Sequence, residues 1–328
     1  MAKLDHRHLK ILPLSERQNK IHLGDILPID CCSTYKNPDI SHLANEIIKA
    51  KSTGKQVVWM MGAHVLRRGC ARMIIDLMER GFVTHIAVNA AFAIHDFEFA
   101  FQGATLEDVE FYIQDGRFGN WDETGRFINL AVIKGCKIGT GFGESIGLMI
   151  ENEAYAPMPF KNISIFARAI RLNIPITVHK GIGYDITDQH PCADFAAIGK
   201  TSGDDFMVFA RTISNLENSV FLNLGSAVMG PEVYLKALSI ARNLAKQNGE
   251  EIKHFTTGVF DILDLGDWRE EGIVDYKKPG RMSDSRYYFR PLKSILVRTV
   301  KDGGKSFYIQ GDFKDTVPAL YSSITEQS

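Results

Sequence analysis

The chain has 328 residues, 45% of them apolar and 23% charged, a balance typical of a soluble globular protein with a sizeable core. Its formal net charge of −1 provides no field that would attract nucleic acid or an anionic membrane, so we expect neither as a partner. The start lacks the apolar core of a secretory signal, no apolar run is long enough to cross a membrane, and the five cysteines include no C-x-x-C pair. A reducing cytoplasm is therefore the expected location.

The first part of the chain begins with an arm and continues with alternating helix and strand patterns. Residues 1–30 are polar and interrupted by prolines, which predicts an N-terminal arm. Residues 39–54 predict a helix with an Asp or Ser cap and a glycine stop. The apolar run 57–61 (VVWMM), followed by an amphipathic helix that ends at Gly81, predicts a β-loop-α unit, and residues 83–91 repeat the strand pattern.

The middle and later parts continue this alternation after a less regular, glycine-spaced stretch at 115–160. Residues 164–185 predict a helix, a strand and a glycine-rich loop. Residues 204–249 predict a helix, strand, loop and helix, and 253–262 supply a further strand. Strands that alternate with helices predict an α/β fold with a doubly wound, mainly parallel sheet and helices on both faces.

The predicted domain organisation is simple, because the sequence contains no internal repeat, linker or low-complexity segment. We expect a single domain over residues 31–323, preceded by the arm at 1–30 and followed by a short tail at 324–328.

Lys293 stands at the start of a strand-like apolar run. Residues 294–300 (SILVRTV) are rich in β-branched residues, and 301–305 (KDGGK) would turn the chain into a hairpin partner at 306–311. Two interpretations of this lysine are open from the residues alone. It is either a solvated charge at a strand end or an amine held in a pocket for chemistry.

Four loops follow predicted strands, at 62–68, 89–96, 179–191 and 225–232. In a doubly wound sheet these loops meet at the carboxyl edge, where ligands bind. The loop at 225–232 leads into a helix and is suited to phosphate. The segment 139–144 (GTGFGE) has the wrong glycine spacing for a dinucleotide fingerprint, so ordinary tight turns remain an alternative.

The loop 179–191 concentrates residues that could bind a ligand. His179, Asp185, Asp188 and His190 could hold a metal, but their spacing matches no zinc motif, so we expect none. The carboxylates could instead hold an amine, with help from other acidic side chains along the chain. Those further acids are Glu232 and Asp284. No G-x-S-x-G elbow signals a serine nucleophile.

Five segments together carry a family resemblance: 57–69 (VVWMMGAHVLRRG), 85–105 (HIAVNAAFAIHDFEFAFQGAT), 197–206 (AIGKTSGDDF), 220–238 (VFLNLGSAVMGPEVYLKAL) and 290–300 (RPLKSILVRTV). In order and spacing they resemble the deoxyhypusine synthase family, and most closely its deoxyhypusine-synthase-like branch from bacteria. The resemblance extends from about residue 40 to 320.

The resemblance implies a Rossmann-like NAD-binding fold, assembled as a homotetramer with active sites at subunit interfaces. Family enzymes use NAD to dehydrogenate spermidine, carry the butylamine moiety as an imine on one lysine, and pass it to an acceptor amine. The resemblance therefore implies an NAD-dependent aminobutyl transferase. Lys293 matches the family's catalytic lysine.

The resemblance also implies site residues. The positions that match cofactor contacts are His64, Arg67, Asn89, Ala90, Ala91, His95, Asp185, Gly225, Ser226, Thr257, Gly258 and Asp312. The positions assigned to the polyamine pocket are His190, Glu232 and Asp284, and Glu232 also takes the place of a catalytic histidine.

The chain departs from the family pattern mainly in the substrate pocket. The family's tryptophan before the lysine is Pro291, its pocket aspartate is His190, and its T-A-G-G cofactor loop is NAAF at 89–92. These departures favour a small amine such as putrescine or agmatine as acceptor, rather than a protein lysine. Two alternatives remain: an inactive oligomer that binds NAD and polyamine, and a Schiff-base lyase without nicotinamide.

Overall fold

The computed structural model describes residues 4–31, 33–271 and 285–327. The strands there are β1 (Asn19–His22), β2 (Val57–Met61), β3 (His85–Asn89), β4 (Ala104–Glu107), β5 (Ile176–His179), β6 (Val220–Leu224), β7 (Thr256–Asp261) and β8 (Lys305–Gln310). The α-helices there are α1 (Pro38–Ser52), α2 (His64–Arg67), α3 (Ala71–Glu79), α4 (Ala90–Gln102), α5 (Val109–Ile113), α6 (Asp122–Ile138), α7 (Phe142–Glu151), α8 (Ile165–Arg171), α9 (Phe195–Ile213), α10 (Met229–Gln247), α11 (Trp268–Glu271), α12 (Ser285–Tyr288) and α13 (Phe313–Thr325). None of these helices is long and apolar enough to cross a membrane.

Six strands form one parallel sheet in the order β5-β3-β2-β6-β7-β8. The first of them along the chain, β2, lies in the middle; the next two lie on one side and the last three on the other. This is the 3-2-1-4-5-6 order of the Rossmann fold. The predicted α/β class with a doubly wound parallel sheet is confirmed. The strand order reverses between β2 and β6, where Met61 lies opposite Leu224.

The sheet is buried on both faces, which explains why its central strands are continuous apolar runs. Along β2, Val57, Trp59 and Met61 pack into a core that includes side chains of α1, α3 and α13. The alternate residues Val58 and Met60 pack into a second core with α9 and α10 on the other face. The predicted helices on both faces are thus present.

The predicted N-terminal arm lies against the rest of the chain. Its β1 pairs antiparallel with β4, and Ile21 lies opposite Thr105. Just before β1, Arg17 makes a bidentate ion pair with Glu98 of α4 at 2.8 and 2.7 Å, and both side chains are 1% exposed. These contacts bring the arm beside the carboxyl edge of the main sheet.

The strand predicted at 294–300 and its hairpin are wrong, whereas the partner strand predicted at 306–311 is present as β8. Leu292–Val297 forms a π-helical segment, and β8 runs parallel to β7. Leu292, Ile295 and Leu296 are buried on one side of the segment. Their i, i+3, i+4 spacing is helical, and this burial overrides the strand preference of the β-branched side chains.

Two other segments are more helical than the sequence indicates. The stretch 115–160 contains α6 and α7, and most of the loop predicted at 89–96 belongs to α4. The Asn89 side chain accepts a hydrogen bond from the Phe92 backbone N–H at 3.0 Å, so it caps α4 and starts that helix directly at the strand end. Likewise α1 is capped by Asn37, not by the Asp or Ser that we expected.

Candidate functional site

Two glycines allow neighbouring turns to pack closely at the carboxyl edge of the sheet, where the strand order reverses. Gly62 follows β2 and Gly225 follows β6. A Cβ on Gly62 would lie 2.2 Å from the Gly225 carbonyl oxygen, so no side chain fits between these two turns. Gly225 also has a φ of 65°, in the left-handed region that favours glycine. The crevice that opens here is the usual ligand site of this fold.

A first cavity of about 600 Å³ lies on the β7 and β8 side of this point. Its walls come from the arm, the turn after β2, and the ends of β6, β7 and β8. The lining residues are Lys20, Ile21, His64, Arg67, Arg68, Leu106, Gly225, Asp261, Ile262, Asp312 and Phe313. Four of the predicted cofactor positions therefore share one cavity.

The cations of the first cavity differ in their partners. Arg68 forms a bidentate pair with Asp312 at 2.8 and 2.6 Å, and Lys20 pairs with Asp108 at 2.8 Å. The buried Nε of Arg67 has no hydrogen-bond partner among the described residues. Arg67 is thus the guanidinium of this cavity that is still able to bind an anion.

His64 lies next to this guanidinium, with its Nε2 3.4 Å from Arg67 Nη1. Burial, followed by the charges of Arg67 and Arg68, lowers the pKa of His64. The imidazole is therefore neutral near pH 7 and adds no charge of its own. Asp312 caps α13 by accepting a hydrogen bond from the Lys314 backbone N–H, so both its carboxylate oxygens are occupied within the chain.

A second cavity of about 590 Å³ lies on the other side of Gly225, above β3, β5 and β6. The lining residues are Asn89, His179, Lys180, Gly181, Tyr184, Ser202, Phe206, Gly225, Ser226, Ala227, Val228, Met229, Glu232 and Val233. Among the predicted residues Asn89, Gly225, Ser226 and Glu232 are included. The Ser226 hydroxyl accepts from the Gly230 backbone N–H at 2.7 Å, so it also shapes the start of α10.

Lys180 also lines this cavity and was not among the predicted site residues. Its side chain is fully buried, with Nζ 2.8 Å from Asp185 Oδ2 and in ion contact with Asp188 Oδ1 at 2.6 Å. One ammonium thus faces two carboxylates of the loop that we considered for a metal. Within the described ranges no group of three His, Cys, Asp or Glu residues could hold a metal ion. The signal available was a lysine immediately after a strand end.

A third, smaller cavity of about 180 Å³ lies beneath the arm, and we call it the arm pocket. Its lining residues are Arg17, Ala91, Ile94, His95, Glu98, Leu106, Glu107, Val109, Phe118, Tyr184, Asp185 and Ile186. Three predicted cofactor positions, Ala91, His95 and Asp185, are here. Leu106 also lines the first cavity and Tyr184 the second, so the arm pocket adjoins both.

Lys293 lines none of these three cavities as formed by the described residues. Its Nζ lies 3.6 Å from the centroid of the Tyr287 ring. Burial, then the nearby charges of Arg298 and Arg290, lowers the pKa of Lys293. Arg290 also reaches Glu232 of the second cavity, with Nη1 3.4 Å from Oε1. Glu232 bonds Lys236 as well, and that bond is the main cause of its lowered pKa.

The remaining predicted residues lie elsewhere. Thr257 and Gly258 are buried within β7, where the Thr257 hydroxyl donates to the Ile295 carbonyl at 3.2 Å. Ala90 is buried at the start of α4. His190 lies with Nδ1 2.9 Å from Cys192 Sγ. Asp284 lies outside the described residues.

Comparison with known proteins supports the fold. Residues 41–116 match the family model described as "Arginine dihydrolase ArgZ-like, C-terminal, Rossmann fold". The match covers only this part of the chain, from α1 to α5. No protein of curated function matches the sequence.

Solved structures show the same architecture at low identity. The arginine dihydrolase ArgZ from the ornithine-ammonia cycle in Cyanobacteria aligns with 14% identity and a TM-score of 0.52, over 91% of this chain and 33% of ArgZ. A conserved putative LOR/SDH protein from Methanococcus maripaludis S2 aligns with 15% identity and a TM-score of 0.50, over 90% of this chain and 72% of that one. This chain thus spans about a third of the length of ArgZ.

A putative deoxyhypusine synthase from Entamoeba histolytica also aligns, with 9% identity and a TM-score of 0.48, over 88% of this chain and 87% of that one. A likeness this distant carries no conclusion about family. What the comparisons support is similarity to an ArgZ-like Rossmann domain, and membership of the deoxyhypusine synthase family stays a prediction.

Proposed function

We propose that this chain is an NAD-dependent enzyme, or the NAD-binding part of one, that acts on a small cationic amine. The observation that carries the proposal is the crevice where the strand order reverses, with cavities on both sides of Gly225. Dinucleotides bind Rossmann folds across this point. ArgZ is an arginine dihydrolase from an ornithine-ammonia cycle, which agrees with an amine-bearing substrate.

The residues present fit an NAD molecule. Gly62 and Gly225 let the turns after β2 and β6 pack together where the strand order reverses, and Arg67 holds a buried N–H group that has no partner among the described residues. Arg67 would bind a phosphate oxygen, and His64 would contact the cofactor as a neutral group. When bound, NAD would supply a hydride acceptor. Ser226 and Asn89 would line the second half of the site while holding the helix starts in place.

The finer proposal is aminobutyl transfer through an imine on Lys293, as in the deoxyhypusine synthase family. The substrate carbon would lose a hydride and become an imine, the Lys293 amine would add to it, and the substrate's own amine would leave. An acceptor amine would then displace Lys293, and the hydride would return. The lowered pKa of Lys293 supports this role, because only the neutral amine is nucleophilic. A small amine acceptor and a homotetramer with interfacial sites belong to the same proposal.

A trapping experiment tests the proposal. We would incubate the protein with NAD and, separately, spermidine, putrescine, agmatine or ornithine, reduce with borohydride, and map adducts by mass spectrometry. We expect an NAD-dependent adduct on Lys293 that is absent from Lys293→Met and present in Lys301→Met, a matched change at an exposed lysine.

Other outcomes separate the alternatives. Reduced nicotinamide without an adduct would support an amine dehydrogenase and exclude the Lys293 imine. An adduct that forms equally without NAD would contradict the NAD-dependent route, because an amine must lose two electrons before it can form an imine with a lysine. Absence of NAD binding would leave the Schiff-base lyase, acting on a carbonyl compound, as the alternative. Binding of NAD and amine with neither product would indicate a binding protein without activity.

A further inference from the structure

The arm pocket has a mixed wall of aliphatic and ionisable side chains. Ile94, Val109 and Ile186 supply apolar surface. Its volume of about 180 Å³ is below the roughly 300–1,000 Å³ of cavities that hold drug-sized ligands. The pocket therefore suits a small molecule or one end of a longer one.

The charges around the pocket do not balance. The Arg17 guanidinium is neutralised by Glu98, which is also bonded to the Thr105 and Thr124 hydroxyls at 2.5 and 2.8 Å. Lys180 has one positive charge for the two carboxylates of Asp185 and Asp188. Glu107 makes no ion pair with a described residue, although the charge of Arg17 favours its ionised form. When all these groups are ionised, an excess of negative charge remains in a buried place, where it is costly unless a cation or a proton joins it, and burial accordingly raises the pKa of both Glu107 and Asp185.

Two carboxylate oxygens at the pocket are free to accept. Glu107 is 6% exposed, and its Oε2 accepts from the Gly119 backbone N–H at 3.1 Å and from Trp121 Nε1 at 2.7 Å. Its Oε1 accepts no hydrogen bond from any described residue. Asp185 is 8% exposed and bonds Lys180 through Oδ2 alone. Its Oδ1 likewise has no hydrogen-bond donor in the described part of the chain.

His95 supplies a third acceptor. Its Nδ1 lies 2.7 Å from the Thr105 hydroxyl, and that hydroxyl donates to the Glu98 carboxylate. The Thr105 oxygen therefore accepts from His95 Nδ1–H. Burial lowers the pKa of His95 to about 4, so the ring is neutral and Nε2 carries a lone pair. The acceptors at the pocket thus match in number the three N–H donors of an ammonium group.

Leu106 separates the arm pocket from the first cavity and has a φ of 69°. A branched, non-glycine residue in the left-handed region is strained, and such strain is concentrated at functional sites. The Leu106 side chain is thus held at the boundary between the place where the cofactor would lie and the acceptor cluster.

We propose that the arm pocket binds the primary ammonium end of the substrate, through Glu107, Asp185 and His95, with the aliphatic stem against Ile94 and Val109. Asp185 and His95 would then contact the substrate, whereas the family resemblance implies a cofactor contact for both. The substrate class is a small aliphatic compound with a terminal ammonium, such as a diamine, a polyamine or a basic amino acid. The inference deepens the proposed function and rests on it for the reaction, but not for the binding.

The test is isothermal titration of the full chain with putrescine, spermidine and ornithine, each with and without saturating NAD. The variant Glu107→Gln keeps an oxygen for Trp121 and Gly119 but replaces the free oxygen by an N–H donor. Glu110→Gln is the matched control, because it makes the same change at an exposed acid on α5. A second variant, Val109→Lys, places an ammonium at the rim of the pocket from a position that is 49% exposed.

We expect at least one amine to bind the wild-type chain. Glu107→Gln should weaken that binding at least tenfold and Val109→Lys should abolish it, with NAD affinity unchanged in both and Glu110→Gln like wild type. Equal amine affinity in wild type and both pocket variants would overturn the proposal, and so would the absence of binding by every amine. Failure of wild type to bind NAD, with amine binding intact, would instead refute the proposed function.

Discussion

His85 belongs to β3 and His179 to β5, and the side chains of both are buried and contact the Thr177 hydroxyl on one face of the sheet. His85 Nε2 lies 3.0 Å and His179 Nε2 3.2 Å from this oxygen. Burial lowers the pKa of each histidine to about 3. Both rings are therefore neutral in the folded chain, whereas in the unfolded chain they would gain a proton near pH 6.5.

Because the folded pKa lies below the unfolded one, the histidines favour folding above about pH 6.5, and this contribution is lost as the pH falls from there toward 3. We expect the free energy of unfolding to fall by up to about 1.4 kcal/mol per pH unit for each histidine. Urea denaturation at pH 7, 6 and 5 measures this slope. His85→Asn should make it shallower, and an unchanged slope would contradict the burial argument.

The Arg17–Glu98 pair connects the arm to α4 in a fully buried place. Arg17→Met would leave the Glu98 carboxylate buried without its cation, which costs roughly 3–5 kcal/mol in such pairs. We expect a large drop in Tm. The control Arg7→Met removes an exposed partner of Asp5 and should leave Tm unchanged; similar Tm values for the two variants would show that the buried pair is not what holds the arm.

At this scale the sequence revealed part of the candidate site. The loops that contain His64, Arg67 and Gly225 could be found because they follow predicted strands, and such turns must meet at one sheet edge. The individual residues were implied by the family resemblance. Lys180 also directly follows a strand, β5, and could have been found from that position. Glu107 could not, because its importance depends on contacts that no local pattern encodes. Glu107 bonds Trp121, and its position at the arm pocket depends on the pairing of β4 with the arm.

At the scale of elements, the buried strands were predictable and some helices were not. A continuous apolar run such as VVWMM is typical of a central strand in a sheet that is covered on both faces. In contrast, α6 and α7 contain glycines that look like breakers. A Cβ on Gly135 would lie 1.8 Å from Ser145 Oγ, and one on Gly143 would lie 2.2 Å from the Ile176 carbonyl oxygen. Gly135 thus allows α6 to pack closely against α7, and Gly143 allows α7 to pack closely against β5. The sequence alone does not show these contacts.

The turn after β2 gives a prediction about an element junction. Gly62→Ala would push a methyl group against the Gly225 carbonyl, and overpacking of this kind costs about 1–3 kcal/mol. We expect a lower Tm and weaker NAD binding, because the two turns must separate. Gly199→Ala is the control, since that glycine lies in α9 with open space around it. Thermal melts and NAD titrations of both variants test this prediction. Equal Tm values and equal NAD affinities for Gly62→Ala and Gly199→Ala would contradict the close contact.

For the whole molecule, the alternation of helix and strand sufficed to predict the class of fold, but not where the ends of the sheet lie. The run at 294–300 was counted as a strand and 306–311 as its hairpin partner, whereas 294–300 is not a strand and β8 forms this end of the sheet alone, parallel to β7. In the strand order β5-β3-β2-β6-β7-β8, the strands β2 and β6 are neighbours, so the turns that follow them meet at the carboxyl edge. The two cavities lie on either side of Gly225 in the second of these turns. This edge of the sheet is where we propose that NAD binds.

Calorimetric titration of the full chain with NAD measures binding at this edge. We predict saturable binding that is weakened about tenfold or more in Arg67→Gln, because a charge-assisted hydrogen bond contributes roughly 1.5–3 kcal/mol. Arg211→Gln, at an exposed position of α9, should bind like wild type. Absence of NAD binding, or equal affinity in wild type and Arg67→Gln, would contradict the site described above.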